Sequence, residues 1–190
     1  QSGEGRPSKA PSMGTKLAGY ITGETPPSNY TAAVKNSYSQ YNDAALVVFS
    51  RIGGEGYDLP RSMKTSFDSD TAIEGARDKD DHYLQLDKNE TDLLEEVCSN
   101  FDKVIVILNV STSMELGFLD DTAHYAYHPQ IKAALWIGSP GGKGINALGR
   151  VLNGSVNPSG RTVDTFSRNF KNDPVWQNFG NNLAGGGNRY

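Results

Sequence analysis

Three short apolar runs interrupt an otherwise polar chain: Ala-Ala-Leu-Val-Val-Phe-Ser at 44–50, Val-Ile-Val-Ile-Leu at 104–108, and a third at 131–137. The first two are continuous rather than alternating, which predicts strands covered on both faces, as in a parallel sheet. Between them the period changes. Leu93, Leu94, Val97, Cys98 and Phe101 form a stripe at helical spacing and predict a helix over 88–100. Asp87 is its N-cap, and Glu90, three residues on, is the capping-box partner. Val34, Tyr38 and Tyr41 predict a modest helix over 30–41, and a short helical stretch is expected over 114–119. A further helix is expected over 143–152 after the turn Gly138-Ser139-Pro140-Gly141-Gly142, with Ile145, Leu148 and Leu152 facing inward and Gly154 closing it. Strands alternating with helices imply βαβ units. The expected fold is therefore α/β, a mainly parallel sheet flanked by helices on both faces (an α/β sandwich).

The same pattern divides the chain. Residues 1–43 are a loop-rich, N-terminal part, incomplete at its start, with a short ordered piece at 17–21. Residues 44–166 are the α/β domain proper. Residues 167–190 are a polar tail with Trp176 and Phe179 as docking anchors, and Ala184-Gly185-Gly186-Gly187 reads as linker. The stretch 51–87 is long, polar and aperiodic; connections of that length in a compact domain are usually functional or mobile.

Composition narrows the function. The 190 residues carry a net charge of only -4 with acids and bases interspersed, which argues against a nucleic-acid partner. No run of about 18 apolar residues predicts a membrane span. No leader pattern stands at the N-terminus, and the compartment is left open. The single cysteine, Cys98, excludes an internal disulfide and lies on the apolar helical stripe as a core residue. His82, His124 and His128 lack the spacing of a metal site with a third ligand and read as surface or satisfied structural side chains. The run 138–144 is no phosphate loop, because Gly144 follows Lys143 where Ser or Thr is required. A flavodoxin-like nucleotide binder is disfavoured for that reason, and no cofactor is expected.

One acid stands out. Glu55 follows the first predicted strand in Ser50-Arg51-Ile52-Gly53-Gly54-Glu55-Gly56-Tyr57-Asp58. Ligands of α/β sheets gather at the carboxyl ends of strands. Glycines beside the acid let a bulky substrate approach closely. Glu55 is thus the candidate general acid, a role that needs its pKa raised toward neutrality.

The segments Val-Val-Phe-Ser-Arg-Ile-Gly-Gly-Glu-Gly-Tyr-Asp (47–58), Tyr-Leu-Gln-Leu (83–86), Val-Ile-Val-Ile-Leu-Asn (104–109) and Asn-Gly-Ser-Val-Asn-Pro-Ser-Gly-Arg (153–161), then Thr165-Phe166, occur in the order found in glycoside hydrolase family 3. The chain resembles the second domain of that family, an α/β sandwich beside a barrel. The resemblance implies a β-glucosidase-like enzyme acting with retention on β-linked oligosaccharides or glucosides, and makes Glu55 its acid/base catalyst. Ser2, with Gly3, corresponds to the end of a serine loop that helps bind the sugar. The family's nucleophile, an aspartate in a Ser-Asp-Trp-like motif, is missing here, as is its Lys-His pair. The implied partner is a TIM-barrel-type domain on the same parent protein or on another chain. The alternative is a carbohydrate-binding or regulatory α/β domain without catalysis.

Overall fold

The computed structural model describes residues 22–51, 59–65, 69–120 and 125–176. Strands β1 (Ala45–Ser50), β2 (Val104–Asn109) and β3 (Ile131–Trp136) form a parallel sheet in the order β1-β2-β3. All three apolar runs are strands, and the α/β class expected from them is the one observed. Leu46 lies opposite Ile105 and Val48 opposite Ile107, with a register irregularity at Val104/Ile105 on the β3 side.

The crossover between β1 and β2 contains α2 (Lys88–Asn100), and its start matches the sequence reading. The Asp87 carboxylate accepts from the Glu90 N–H at 2.8 Å, and the Glu90 carboxylate accepts from the Asp87 N–H at 3.0 Å. Two amides that a helix start leaves without partners are satisfied reciprocally. Leu94, Val97 and Cys98 of α2 then pack on Val47, Phe49, Val104, Val106 and Leu108 of the sheet. Phe118, in the 3-10 turn Gly117–Leu119, closes this core edge-on against Phe49 at 5.7 Å. The other face of β1 is more open: Leu46 is 52% and Val48 48% exposed, while their neighbour Ile107 is buried. The first run, continuous in sequence, therefore alternates in burial.

Cys98 sits inside this core, and burial pushes its thiol up to about 11. At pH 8 only ~10⁻³ of it is thiolate, the reactive form. Ellman's reagent should therefore label native protein over hours and urea-unfolded protein within minutes; rapid native labelling would contradict the packing.

Two helices differ from expectation. The 30–41 segment forms only α1 (Ala32–Ser37), capped by Thr31, which accepts from the Val34 N–H at 3.3 Å. Tyr38 packs on Phe101, but Tyr41 is exposed. The 143–152 segment breaks into α3 (Gly141–Gly144) and α4 (Asn146–Leu152), and Ile145 at the break is 42% exposed instead of facing inward. Four glycines between 141 and 149 explain this, since each costs a helix about 1 kcal/mol relative to alanine. Gly138 and Gly141 have φ of +60° and +63°, so the turn itself demands glycine.

The long 51–87 connection builds its own small core of Met63, Ile73, Tyr83 and Leu84. It is held by backbone bonds from Met63 N–H to Lys79 (2.9 Å) and from Ile73 N–H to Met63 (2.7 Å). The segment after Phe166 docks: the Leu116 N–H donates to Ser167 at 2.9 Å, and Trp176 is buried. Phe179 and the 17–21 and 184–187 stretches lie outside the described residues.

Candidate active site

Glu55 and Ser2 lie outside the described residues. The described residues on either side of Glu55 in sequence are Ser50 and Arg51 before it and Leu59 and Pro60 after it. Ser50 is the last residue of β1. Arg51, next in the chain, turns into the protein and is buried. Its Nε donates to the Tyr83 carbonyl at 2.6 Å, and one terminal nitrogen donates to the Ser50 carbonyl at 2.8 Å. The fork pairs bidentately with Glu90, at 2.6 and 2.7 Å, and a further N–H donates to the Gln85 carbonyl. An arginine offers five N–H donors, and all five are engaged. Burial pulls the guanidinium down, but the Glu90 charge and hydrogen bonds outweigh it and hold it above the ordinary arginine value.

Pro60 contacts the same residue, Tyr83. Pro60 is buried, and its carbonyl accepts from the Tyr83 N–H at 3.2 Å. Tyr83 thus receives Arg51 on its carbonyl and gives its N–H to Pro60, while its ring lies 5.4 Å from the guanidinium.

Glu90 extends this network into the start of α2, where Asp87 accepts from both the Glu90 N–H and the Thr22 hydroxyl. Burial, then the Glu90 charge, push the Asp87 carboxyl up to about 6, against the lowering effect of Thr22 and Arg51. The folded carboxyl therefore holds its proton more tightly than the unfolded one at 3.8. Stability from this group rises as pH falls from above 6 toward 4, and the cost of the charged form is fully present above 6. Relative to Asp87→Asn, which keeps the cap, the native protein should gain on the order of 2 kcal/mol between pH 7.5 and 4.5. Denaturant melts at both pH values check this; a difference that stays constant or moves the other way contradicts it.

A second buried pair stands beside this network. His82 Nε2 lies 3.0 Å from Glu115 Oε2, and the Phe170 N–H donates to the same oxygen at 3.0 Å. The imidazole packs between Phe170 and Trp176, at 5.5 and 4.9 Å. His82 is a structural histidine, not a surface one. Burial and the Glu115 charge raise the nearby Tyr125 phenol. Among the described residues no group of three His, Cys, Asp or Glu side chains is placed to hold a metal ion, and no helix is long and apolar enough to cross a membrane.

Neither Arg51 nor Glu115 stands out in the sequence, where Glu90 has the spacing of a capping partner only. The one available signal for Arg51 was its place, a lone cation directly behind an apolar strand. A charge there must find acceptors, because an unpaired buried charge is prohibitively costly.

Residues 1–189 match the Glycosyl hydrolase family 3 C-terminal domain. Beta-glucosidase A of Butyrivibrio fibrisolvens is 32% identical over 144 residues, covering 73% of this chain and 16% of that protein. A beta-glucosidase of Ruminococcus albus is 29% identical over 143 residues, covering 75% of this chain and 12% of that one. In three dimensions the chain resembles a beta-glucosidase from Paenibacillus barengoltzii, with a TM-score of 0.62 and 25% identity, over 85% of this chain and 15% of that structure. Fold and matches together define a domain of glycoside-hydrolase type. The chain belongs to glycosyl hydrolase family 3 and corresponds to its C-terminal domain. It spans between 12 and 16% of the length of these relatives.

Proposed function

We propose that this chain is the acid/base-bearing domain of a retaining, β-glucosidase-like enzyme that hydrolyses terminal β-linked glucosyl residues. The observation that carries the reading is the family match across residues 1–189, combined with a Gly-Glu-Gly sequence starting four residues past the end of β1. In this reading Glu55, as the acid, protonates the departing glycosidic oxygen as its bond to the anomeric carbon breaks. The nucleophilic aspartate, on a barrel domain of the same polypeptide or of another chain, takes the glycosyl group. Glu55, now a carboxylate, removes a proton from the water that releases the sugar. The two carboxyl groups stand about 5–5.5 Å apart in such enzymes. In the same reading Ser2 contacts the sugar, and residues 44–166 form the α/β sandwich domain.

The pH profile of kcat/KM in the full-length protein tests this. An acid must be protonated to act, so activity on an unactivated glucoside should fall as pH rises past the Glu55 pKa. Glu55→Gln should remove that alkaline limb while keeping the acidic one. An unchanged bell in the variant would refute the role and favour a carbohydrate-binding domain without catalysis.

A further inference from the structure

We propose that the cleft enclosed by Leu84, Ser113 and residues 170–176 is a binding site for a small hydroxylated aromatic ring, a phenol. The proposal goes beyond the glycosidase reading and does not depend on Glu55.

Three chain segments build the cleft, and hydrogen bonds stitch them together. The Glu115 N–H donates to the Leu84 carbonyl at 3.0 Å, the Leu116 N–H to the Ser167 carbonyl at 2.9 Å, and the Phe170 N–H to the Glu115 carboxylate at 3.0 Å. The 170–176 wall is a pair of turns: the Asp173 N–H donates to the Phe170 carbonyl at 2.9 Å, and the Trp176 N–H to the Asp173 carbonyl at 3.0 Å. Trp176 is wedged against His82, with ring centroids 4.9 Å apart, and the Arg61 guanidinium lies 4.9 Å from the indole. The walls therefore stand before any ligand arrives, which removes an ordering cost from binding. Ser113 lies four residues past the end of β2, and Leu84 follows Tyr83, whose carbonyl holds the first residue past β1. This is the carboxyl edge of the sheet, where ligands of such folds gather.

Size and lining select the ligand. The cleft has a volume of about 190 Å³. An apolar cavity of about 150 Å³ accepts benzene, whereas pockets for drug-sized molecules run to about 300–1,000 Å³. One six-membered ring with a substituent or two fills this space. Leu84, Phe170, Val175 and Trp176 supply an apolar lining, and aromatic side chains meet a ring favourably edge to face. Two polar side chains remain, Ser113 and Asp173. One Asp173 oxygen accepts from the Ser167 hydroxyl at 3.1 Å. Its other oxygen and the Ser113 hydroxyl make no hydrogen bond among the described residues. A phenol hydroxyl is one donor and an acceptor, so it gives its proton to Asp173 and accepts from Ser113. An aryl ether has no donor for the carboxylate. A pyranose brings several hydroxyls, most of which would be buried without partners. The free phenol is the match.

The test is fluorine NMR of 4-fluorophenol titrated into the full-length protein. Its line should broaden and give a Kd on the order of 1 mM, within reach of so small a ligand. Val175→Trp, at a position 67% exposed and therefore tolerant of a larger side chain, fills the cleft and should abolish the broadening. Asp173→Asn keeps an oxygen for Ser167 and should weaken binding about tenfold; it carries the test if Val175→Trp does not fold. 4-Fluoroanisole, which lacks the hydroxyl proton, should also bind about tenfold more weakly. Glu55→Gln should bind the probe like the native protein, and excess cellobiose should not displace it. No broadening at probe concentrations well above that Kd, binding unchanged in Val175→Trp or Asp173→Asn, or equal binding of the anisole overturns the proposal. Loss of the signal in Glu55→Gln, or displacement by cellobiose, would put the phenol in a sugar site instead and overturns it equally, while leaving the glycosidase reading in place.

Discussion

Glu90→Ala should lower the unfolding free energy by about 3–5 kcal/mol, because it leaves Arg51 a buried charge without a counter-ion. The side chains of both partners are almost wholly excluded from solvent, at 1% and 3% exposure. Three carbonyls would remain around the guanidinium, and they carry no formal charge. The same substitution removes half of the capping box, whose loss alone costs on the order of 1 kcal/mol. Asp92→Ala supplies the contrast on the same helix. It breaks the Lys88–Asp92 pair, whose side chains are 61% and 35% exposed, and pairs of that kind contribute about 0.3–0.5 kcal/mol. Thermal and urea unfolding of both variants should separate them clearly. Equal, small effects would mean that the Arg51 charge is not sequestered as described.

Glu55→Ala should have the largest kinetic effect. General acid catalysis contributes about 10²–10⁴-fold, and that factor is needed in full only when the leaving group is poor. Hydrolysis of cellobiose by the full-length protein should fall by that amount. With dinitrophenyl glucoside the bond breaks without help, so the first step should be nearly normal. Release of the glycosyl-enzyme then becomes slow, because no base activates the water. A rapid burst of dinitrophenol followed by slow turnover is the expected trace. Cellobiose turnover at the native rate would remove Glu55 from the chemistry.

The parts legible in the sequence are those set by neighbours a few residues apart. The Asp87–Glu90 box depends on a spacing of three, and both its bonds are present. The strands announced themselves by β-branched runs, and β2 is buried along most of its length. The helices over 30–41 and 143–152 are shorter than their spacing predicts for lack of tertiary cover: Tyr41 and Ile145 have helical spacing but remain exposed. Hydrophobic period states which face a helix offers, not whether anything meets it. Arg51 was illegible for a different reason. Its partners Tyr83, Gln85 and Glu90 lie 32 to 39 residues away, and two of them accept through main-chain carbonyls, which no residue type advertises. The His82–Glu115 pair, separated by 33 residues, was hidden in the same way. Glu55 was picked out by its glycines and its place behind a strand, and family resemblance gave it a role.

The most direct measurement is the product formed by Glu55→Ala with azide. Azide needs no general base and can enter the space left by the missing carboxyl, attacking the glycosyl-enzyme from the face that water uses. Turnover of dinitrophenyl β-glucoside should be faster with azide, and β-glucosyl azide should accumulate, seen by proton NMR of the anomeric centre. Absence of any azide adduct, or an α-glucosyl azide, would contradict it.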